Sequence, residues 1–94
     1  PTGRVLTREE LQAIADIAIE RDLIVICDEV YEHLVFDGAP HQPLMAFPGM
    51  RERTVRIGSA GKTFSMTGWR IGYLSGPAHL VDGVMKAHQF IAYT

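Results

Sequence analysis

One lysine, Lys62, stands in a glycine-rich stretch that joins two apolar runs of the chain. The stretch extends from Gly58 to Gly72, contains several hydroxyl side chains, and carries a second cation, Arg70, eight residues after the lysine. A primary amine can form a Schiff base, and a guanidinium binds an anion through two parallel hydrogen bonds. These residue types therefore indicate an anionic group held near a reactive amine. We expect Lys62 to be sheltered rather than a solvated surface charge.

Two kinds of phosphate chemistry are compatible with this stretch, and the spacing separates them. A nucleotide P-loop requires G-x-x-x-x-G-K-[ST], and Gly61, Lys62 and Thr63 supply only its second half. Arg56 occupies the position of the first glycine. A P-loop lysine also begins a helix whose N-terminus holds the phosphates, whereas the residues after Thr63 return to a strand-like run. The spacing therefore favours a Schiff-base lysine.

The elements on the N-terminal side of this stretch predict an α/β fold. Thr7 and Glu10 form a capping-box pattern, which predicts a helix over residues 8–21. The continuous apolar run 23–27 is typical of a parallel strand buried on both faces. A second strand is predicted over 54–58.

A third strand, over 70–75, and a helix, over 78–92, are predicted after the stretch. The connection into the third strand is too short for a helical crossover, so this strand is expected to run antiparallel to the second. Gly72 is expected to allow another backbone to approach closely. Pro77 suits the first turn of the last helix.

The segments between these elements carry weaker signals. Residues 36–50 are rich in Pro and Gly and predict a long loop with one helical turn at 44–47. His33 and His41 lack the cysteine pairs or H-E-x-x-H spacing of zinc sites, so a metal site is disfavoured. The charged cluster 51–53 is predicted to be solvated.

Four separated motifs resemble the signature of the fold-type-I, class I/II aminotransferases, which use pyridoxal phosphate. They are a truncated N-P-T-G at 1–3, D-E-x-Y at 28–31, S-x-x-K at 59–62 and G-W-R-x-G at 68–72. The G-K-T-F-S-x-T-G-W run is similar to the kynurenine, glutamine and methionine aminotransferase branch, and D-E-V-Y-E-H-L-V-F-D resembles succinyldiaminopimelate aminotransferases. The resemblance covers all 94 residues. It implies part of the large cofactor-binding domain, a mostly parallel three-layer fold with one antiparallel strand, whose N- and C-terminal parts lie outside residues 1–94.

The resemblance implies a role for five side chains. Lys62 would hold pyridoxal phosphate as a Schiff base and then transfer a proton as general base and acid. Asp28 would keep the pyridine nitrogen protonated, and Tyr31 would donate its hydroxyl to the ring oxygen. Ser59 and Arg70 would bind the phosphate. Each of four residues also has a simpler alternative. Asp28 could be the N-cap of a short helix at 29–34, and Tyr31 could be a core aromatic. Ser59 could supply a turn hydroxyl, and Arg70 could form an ion pair at the end of a strand.

The amino-acid composition disfavours several other classes of protein. The formal net charge is -2 and no basic stripe is present, which disfavours nucleic acid. No apolar run is long enough to cross a membrane. The single cysteine, Cys27, rules out an intramolecular disulfide and indicates a reducing compartment, so a cytoplasmic location is predicted. Cys27 is interpreted as an inert core residue, because no activating base is adjacent in sequence.

The function implied by the resemblance is transamination between an amino acid and a 2-oxo acid by a full-length homodimer. Two alternatives stay open: a β-lyase on the same cofactor domain, or a piece with no activity of its own. The residue that binds the substrate carboxylate is expected outside this chain. We also expect residues 1–94 alone to be neither active nor well folded as a monomer, because two helices must cover about three strands.

Overall fold

The computed structural model describes residues 2–92 of the 94-residue chain. The turn predicted at residues 1–3 begins with Pro1, outside the described residues. Helices and strands alternate as expected of an α/β fold. The helices are α1 (Arg8–Glu20), α2 (Ala60–Thr63) and α3 (Ala78–Ile91); the strands are β1 (Val25–Asp28), β2 (Thr54–Ser59) and β3 (Gly72–Ser75). Single 3₁₀ turns lie at Leu44–Ala46, Arg51–Arg53 and Thr67–Trp69.

The three strands form one mixed sheet in the order β1-β2-β3. β1 and β2 are parallel, with Val25 opposite Thr54, and β2 and β3 are antiparallel, with Ser59 opposite Gly72. The α/β class and the antiparallel third strand are therefore confirmed, and the described sheet holds one pair of each kind. β1 begins two residues later than the predicted 23–27, because α1 ends in a turn whose Leu23 N–H donates to Ala18 O at 2.8 Å.

Helix α1 begins where the capping box predicts. The Thr7 hydroxyl accepts from the Glu10 N–H at 3.3 Å, and the Glu10 carboxylate accepts from the Thr7 N–H at 2.8 Å. These two bonds satisfy backbone donors that have no partner inside the helix. Leu11, Ala15 and Ala18 form the buried face of the helix, which packs on one face of the sheet.

The segment predicted as a loop supplies the other half of the core. Leu44, Phe47 and Met50 are buried against α1, with Val25 and Cys27 of β1 beside them. The three loop residues are spaced by three, which is the repeat of a 3₁₀ turn. The Phe47 N–H donates to Leu44 O and the Met50 N–H to Phe47 O, both at 3.1 Å. The predicted helical turn at 44–47 is confirmed, but the loop is a core element.

The prediction that residues 51–53 are solvated is wrong for Arg53. Its side chain is 22% exposed, and its Nη1 lies 3.0 Å from Asp22 Oδ1. The guanidinium also donates to the carbonyls of Ala18, Leu23 and Gly49, at 3.4, 3.3 and 3.1 Å. Carbonyls at the end of a helix have no intrahelical partner, so an arginine fork can satisfy them. Arg53 therefore ties the end of α1 to the start of β2.

The described residues cover only one face of the sheet fully. β1 alternates half-buried and exposed residues, and Ile24 and Ile26 are 64% and 68% exposed, so burial on both faces is not observed. Side chains of a strand point alternately to opposite faces, and α1 and the 44–50 segment lie on one of them. In α3, which ends one residue before the predicted 92, Leu80 and Val84 are half-buried. Among residues 2–92, no helix has the length and apolarity of a membrane span.

Candidate active site

The sheet topology brings all five predicted site residues to one edge. β1 and β2 are parallel, so their carboxyl ends meet there; Asp28 is the last residue of β1 and Ser59 the last of β2. Tyr31 follows in the turn after β1, and Lys62 lies in α2, directly after β2. β3 is antiparallel and begins at the same edge, two residues after Arg70. Open α/β sheets bind ligands beyond the carboxyl ends of their strands.

Lys62 and Tyr31 are the pair of site residues in direct contact. The Lys62 ammonium lies 5.6 Å from the centroid of the Tyr31 ring, within the range of a cation–π interaction. Lys62 is exposed, so the expectation that it is sheltered is wrong for the described residues. The reason is geometric: the ring over it, Tyr31, is itself 56% exposed. An amine and a phenol hydroxyl are thus presented together to the outside of the sheet edge.

The backbone that carries the lysine is held from both sides. The Ala60 N–H donates to Ile71 O at 3.1 Å, and the Thr67 hydroxyl donates to Gly61 O at 3.2 Å. Gly61 is buried, and a Cβ there would lie 3.2 Å from Thr67 Cα and 3.3 Å from Ser59 Oγ. A side chain at this position would push the 65–69 loop away from the end of β2. The single turn of α2 is therefore fixed by packing as well as by hydrogen bonds.

Asp28 has an exposed carboxylate and a local hydrogen bond. One of its oxygens accepts from the Val30 N–H at 3.3 Å. The short helix predicted at 29–34 is instead a pair of turns, in which the Glu32 N–H donates to Glu29 O at 3.1 Å. Asp side chains bind the backbone two residues on and so favour turns over helix. The capping interpretation of Asp28 is compatible with ligand binding, because the exposed carboxylate also faces solvent.

Arg70 has a left-handed backbone, with φ 55° and ψ 33°. The strand predicted at 70–75 therefore begins only at Gly72, because a left-handed residue cannot continue an extended strand. A positive φ in a non-glycine residue is uncommon and is seen at sites where side-chain placement matters. Within residues 2–92, neither Lys62 nor Arg70 forms a side-chain hydrogen bond or an ion pair. Both cations are available to an anion.

The glycine that meets the closest neighbour beside the site is Gly58, not Gly72. A Cβ at Gly72 would lie 3.4 Å from Gly58 O, so another backbone does lie beside Gly72, at a distance that a side chain could tolerate. A Cβ at Gly58 would lie 2.4 Å from Cζ of Tyr73. The Tyr73 ring therefore lies against the backbone of Gly58 near the end of β2, in space that a side chain at position 58 would occupy.

A partly buried charged cluster lies next to this edge and was not predicted. It consists of Arg56, Glu29, Glu32 and His41, and is called the Arg56 cluster below. Arg56 Nε lies 2.7 Å from Glu29 Oε2, and Arg56 Nη2 is paired with Glu32 Oε2. His41 Nε2 lies 3.2 Å from the same Glu29 oxygen. Arg56 is 27 positions from Glu29 and 24 positions from Glu32 along the chain, so rules based on local spacing do not predict these pairs.

Cys27 lies beside this cluster. Partial burial raises the pKa of its thiol, and the negative charge of Glu29 raises this pKa further. Both effects disfavour the thiolate, which is the nucleophilic form. The interpretation of Cys27 as inert agrees with this environment, although the residue is half-buried rather than fully enclosed.

The five groups at the sheet edge match the chemistry of pyridoxal phosphate. The primary amine suits its aldehyde, and the carboxylate suits its pyridine nitrogen. The phenol suits the ring oxygen, and a hydroxyl with a free guanidinium suits the phosphate. The exposed Lys62–Tyr31 pair lies between the ends of β1 and β2, where such a group would enter. The residues present therefore fit the cofactor.

Known proteins resemble this chain closely. The family described as "Aminotransferase class I and II" matches residues 1–94. A probable N-succinyldiaminopimelate aminotransferase, DapC, of Mycobacterium tuberculosis is 58% identical over 93 residues, which are 99% of this chain and 23% of that protein. Kynurenine–oxoglutarate transaminase 3 of Homo sapiens is 53% identical over 94 residues, which are 100% of this chain and 21% of that protein.

Solved structures agree with these relatives. The N-succinyldiaminopimelate aminotransferase of Mycobacterium tuberculosis superposes with a TM-score of 0.97 at 57% identity, covering 100% of this chain and 24% of that one. YbdL of Escherichia coli, described with a methionine aminotransferase function, superposes with a TM-score of 0.91 at 36% identity, covering 100% and 25%. The chain thus spans about a quarter of the length of the relatives it matches. Because the family match extends over all of residues 1–94, this chain belongs to the class I and II aminotransferases.

Proposed function

We propose that the complete protein is a pyridoxal-phosphate-dependent aminotransferase, in which Lys62 binds the aldehyde carbon of the cofactor. The reaction would move an amino group from an amino acid to a 2-oxo acid. The contact between the Lys62 ammonium and the Tyr31 ring, 5.6 Å from its centroid at the carboxyl edge of β1 and β2, is the observation that carries this proposal. Membership of the aminotransferase family supports it independently.

The residues of this chain divide the work around that cofactor. When bound, pyridoxal phosphate supplies an electron sink that stabilises negative charge on the α-carbon of an amino acid. Once the amino group of the substrate has displaced it from the cofactor, Lys62 Nζ would take the α-proton as general base and would then donate a proton as general acid. Asp28 accepts a hydrogen bond from the pyridine N–H, and Tyr31 donates its O–H to the ring oxygen.

The phosphate is assigned to the two groups on either side of α2. Ser59, half-buried at the end of β2, would donate its hydroxyl, and Arg70 would donate two parallel N–H bonds from its planar fork. The left-handed backbone of Arg70 turns the chain back to the sheet edge just before β3. The two proposed phosphate contacts therefore come before and after the lysine along the chain.

The substrates are proposed only as a class. The relatives named above carry different amino-acid substrates in their names, so we propose an amino acid and a 2-oxo acid without choosing among them. Their names are those of transaminases, which disfavours the β-lyase alternative. A homodimer, a cytoplasmic location, and the inactivity of residues 1–94 in isolation stay predictions.

Reduction with borohydride tests the assignment of Lys62. In the complete protein loaded with pyridoxal phosphate, reduction should fix the cofactor covalently to the peptide that contains Lys62. Lys86, on the exposed face of α3, is the other lysine of this chain and provides the matched control. The variant Lys86→Arg should keep the label and Lys62→Arg should lose it. Recovery of the label on Lys86, or on a lysine outside this chain, contradicts the assignment.

A further inference from the structure

The Arg56 cluster joins β2 to the turn that follows β1. Arg56 lies in β2 opposite Cys27 of β1, and its guanidinium reaches both Glu29 and Glu32. The side chains of the three are 21%, 9% and 14% exposed. The Glu29 N–H also donates to Ile57 O at 3.0 Å, which continues the parallel pairing past the end of β1. Arg56 is therefore the side chain that holds this turn against the sheet.

Each glutamate of the cluster is the chain neighbour of a proposed cofactor contact. Glu29 directly follows Asp28, and Glu32 directly follows Tyr31. One guanidinium therefore fixes the backbone immediately after both residues. The same strand that carries Arg56 ends at Ser59 and leads into α2. The cluster thus joins the 28–32 turn to the strand that leads to the lysine, in addition to the backbone pairing of β1 with β2.

We propose that Arg56 is a positioning residue, which holds Asp28 and Tyr31 in register with Lys62 by binding Glu29 and Glu32 together. This inference rests on the proposed function, because the residues it positions are the proposed contacts of pyridoxal phosphate. Arg56 touches neither the cofactor nor the substrate in this assignment. It acts through the two glutamates.

The charge of the cluster explains why an arginine is needed. Glu29, Glu32 and His41 bring their ligand atoms within 4.8 Å of one another, a spacing that a metal ion could also use. The guanidinium already lies among these carboxylates, so the cluster has its cation. Without it, two partly buried carboxylates would be left side by side, which is costly when no cation is paired with them. Repulsion would then move the turn that carries Asp28 and Tyr31.

Arg53 provides a matched control, in the 3₁₀ turn that immediately precedes β2. Its side chain is 22% exposed, nearly the same as the 21% of Arg56. It binds Asp22 and backbone carbonyls at the end of α1, away from the site edge. Loss of either arginine removes a partly buried guanidinium, from the 3₁₀ turn before β2 for Arg53 and from β2 itself for Arg56. Only loss of Arg56 releases the site turn.

The experiment compares Arg56→Gln with Arg53→Gln in the complete protein. The measurements are the dissociation constant of pyridoxal phosphate, the absorbance spectrum of the bound cofactor, and the thermal midpoint of the apoprotein. We expect Arg56→Gln to weaken cofactor binding by about tenfold and to change the absorbance maximum, because a displaced Asp28 would alter the charge beside the ring. Arg53→Gln should lower the thermal midpoint and leave both cofactor measurements unchanged.

A third variant, Arg56→Lys, keeps one charge but not the fork that spans two carboxylates. Its affinity for pyridoxal phosphate and its absorbance maximum should lie between those of Arg56→Gln and those of the native protein. It also serves as the test variant if Arg56→Gln does not fold. The inference is overturned if the Arg56 variants lose thermal stability but keep the pyridoxal phosphate dissociation constant and the absorbance spectrum of the native protein. Arg56 would then be merely structural. If the native protein itself takes up no pyridoxal phosphate at Lys62, the proposed function has failed, which is a different result.

Discussion

Two regions of the molecule differ in how their side chains are buried and paired: the core around α1 and the 44–50 segment, and the edge of the sheet that carries Lys62. On the α1 side, helix ends are capped, apolar residues are buried, and Arg53 satisfies free carbonyls. At the Lys62 edge, Lys62 and its aromatic neighbour Tyr31 are exposed, and within residues 2–92 neither Lys62 nor Arg70 forms a side-chain hydrogen bond or an ion pair. Charged side chains without a partner add little to stability but are available to a ligand, whereas buried and paired side chains hold the fold together. The contrast assigns stability to one region and chemistry to the other.

The largest expected effect is at the Lys62 edge. If the proposed function holds, Lys62→Ala should lower the turnover of the complete protein by at least about a thousandfold, because it removes the proposed proton-transfer group. The thermal midpoint of the apoprotein should change little, since the lysine is exposed and, within residues 2–92, forms a cation–π contact with Tyr31 but no hydrogen bond or ion pair through its side chain. Steady-state kinetics and thermal unfolding measure the two effects. A large loss of stability would remove the contrast between the two regions.

The opposite effect is expected on the α1 side. Phe47 is 5% exposed, and the Arg8 guanidinium lies 5.1 Å from its ring centroid. Phe47→Ala should lower the free energy of unfolding by about 3–5 kcal/mol, because it leaves a cavity in the core. Phe64→Ala, at a ring that is 66% exposed, is the control and should cost far less. Denaturant titration of the complete protein measures both. Equal losses for the two variants would contradict the core assignment of the 44–50 segment.

The smallest effect concerns Cys27, which lies between the two regions. Because burial and the charge of Glu29 raise the pKa of its thiol, alkylation by iodoacetamide should be slower than that of a free cysteine at neutral pH. The rate should rise with pH and reach half of its maximum at a higher pH than for a free thiol. Mass spectrometry of the Cys27 peptide across a pH series measures this. A half-maximum at or below that of free cysteine would show that the thiol is activated.

Sequence reasoning succeeded where the cause of a structure is local. The capping box at Thr7 and Glu10 involves residues three apart, so it could be predicted from spacing alone. The antiparallel direction of β3 follows from a connection too short to cross the sheet. The site residues were predicted from their resemblance to a family, and the topology then brought them to one edge. Their individual roles are still predictions.

The features that the sequence did not predict depend on contacts between residues that are distant in the chain, or on apolar residues within a segment that resembles a loop. Leu44, Phe47 and Met50 were hidden by the surrounding prolines and glycines, which indicated a loop although the apolar residues repeat every three positions. Arg53 and Arg56 find partners 24 to 35 residues away, and such pairs depend on the fold rather than on neighbours in the chain. A run of charges before a strand is compatible with both a solvated and a paired state.

The three-residue repeat of Leu44, Phe47 and Met50 has a consequence for length variation in this protein. Surface loops usually accept insertions and deletions of any size. Here two backbone hydrogen bonds, from the Phe47 N–H to Leu44 O and from the Met50 N–H to Phe47 O, fix the spacing of the three buried residues. An insertion of one or two residues between Leu44 and Met50 would break at least one of these bonds and move Phe47 or Met50 out of its place against α1. Chain-length changes in this segment should be accepted only before Leu44, among the exposed residues at 36–38.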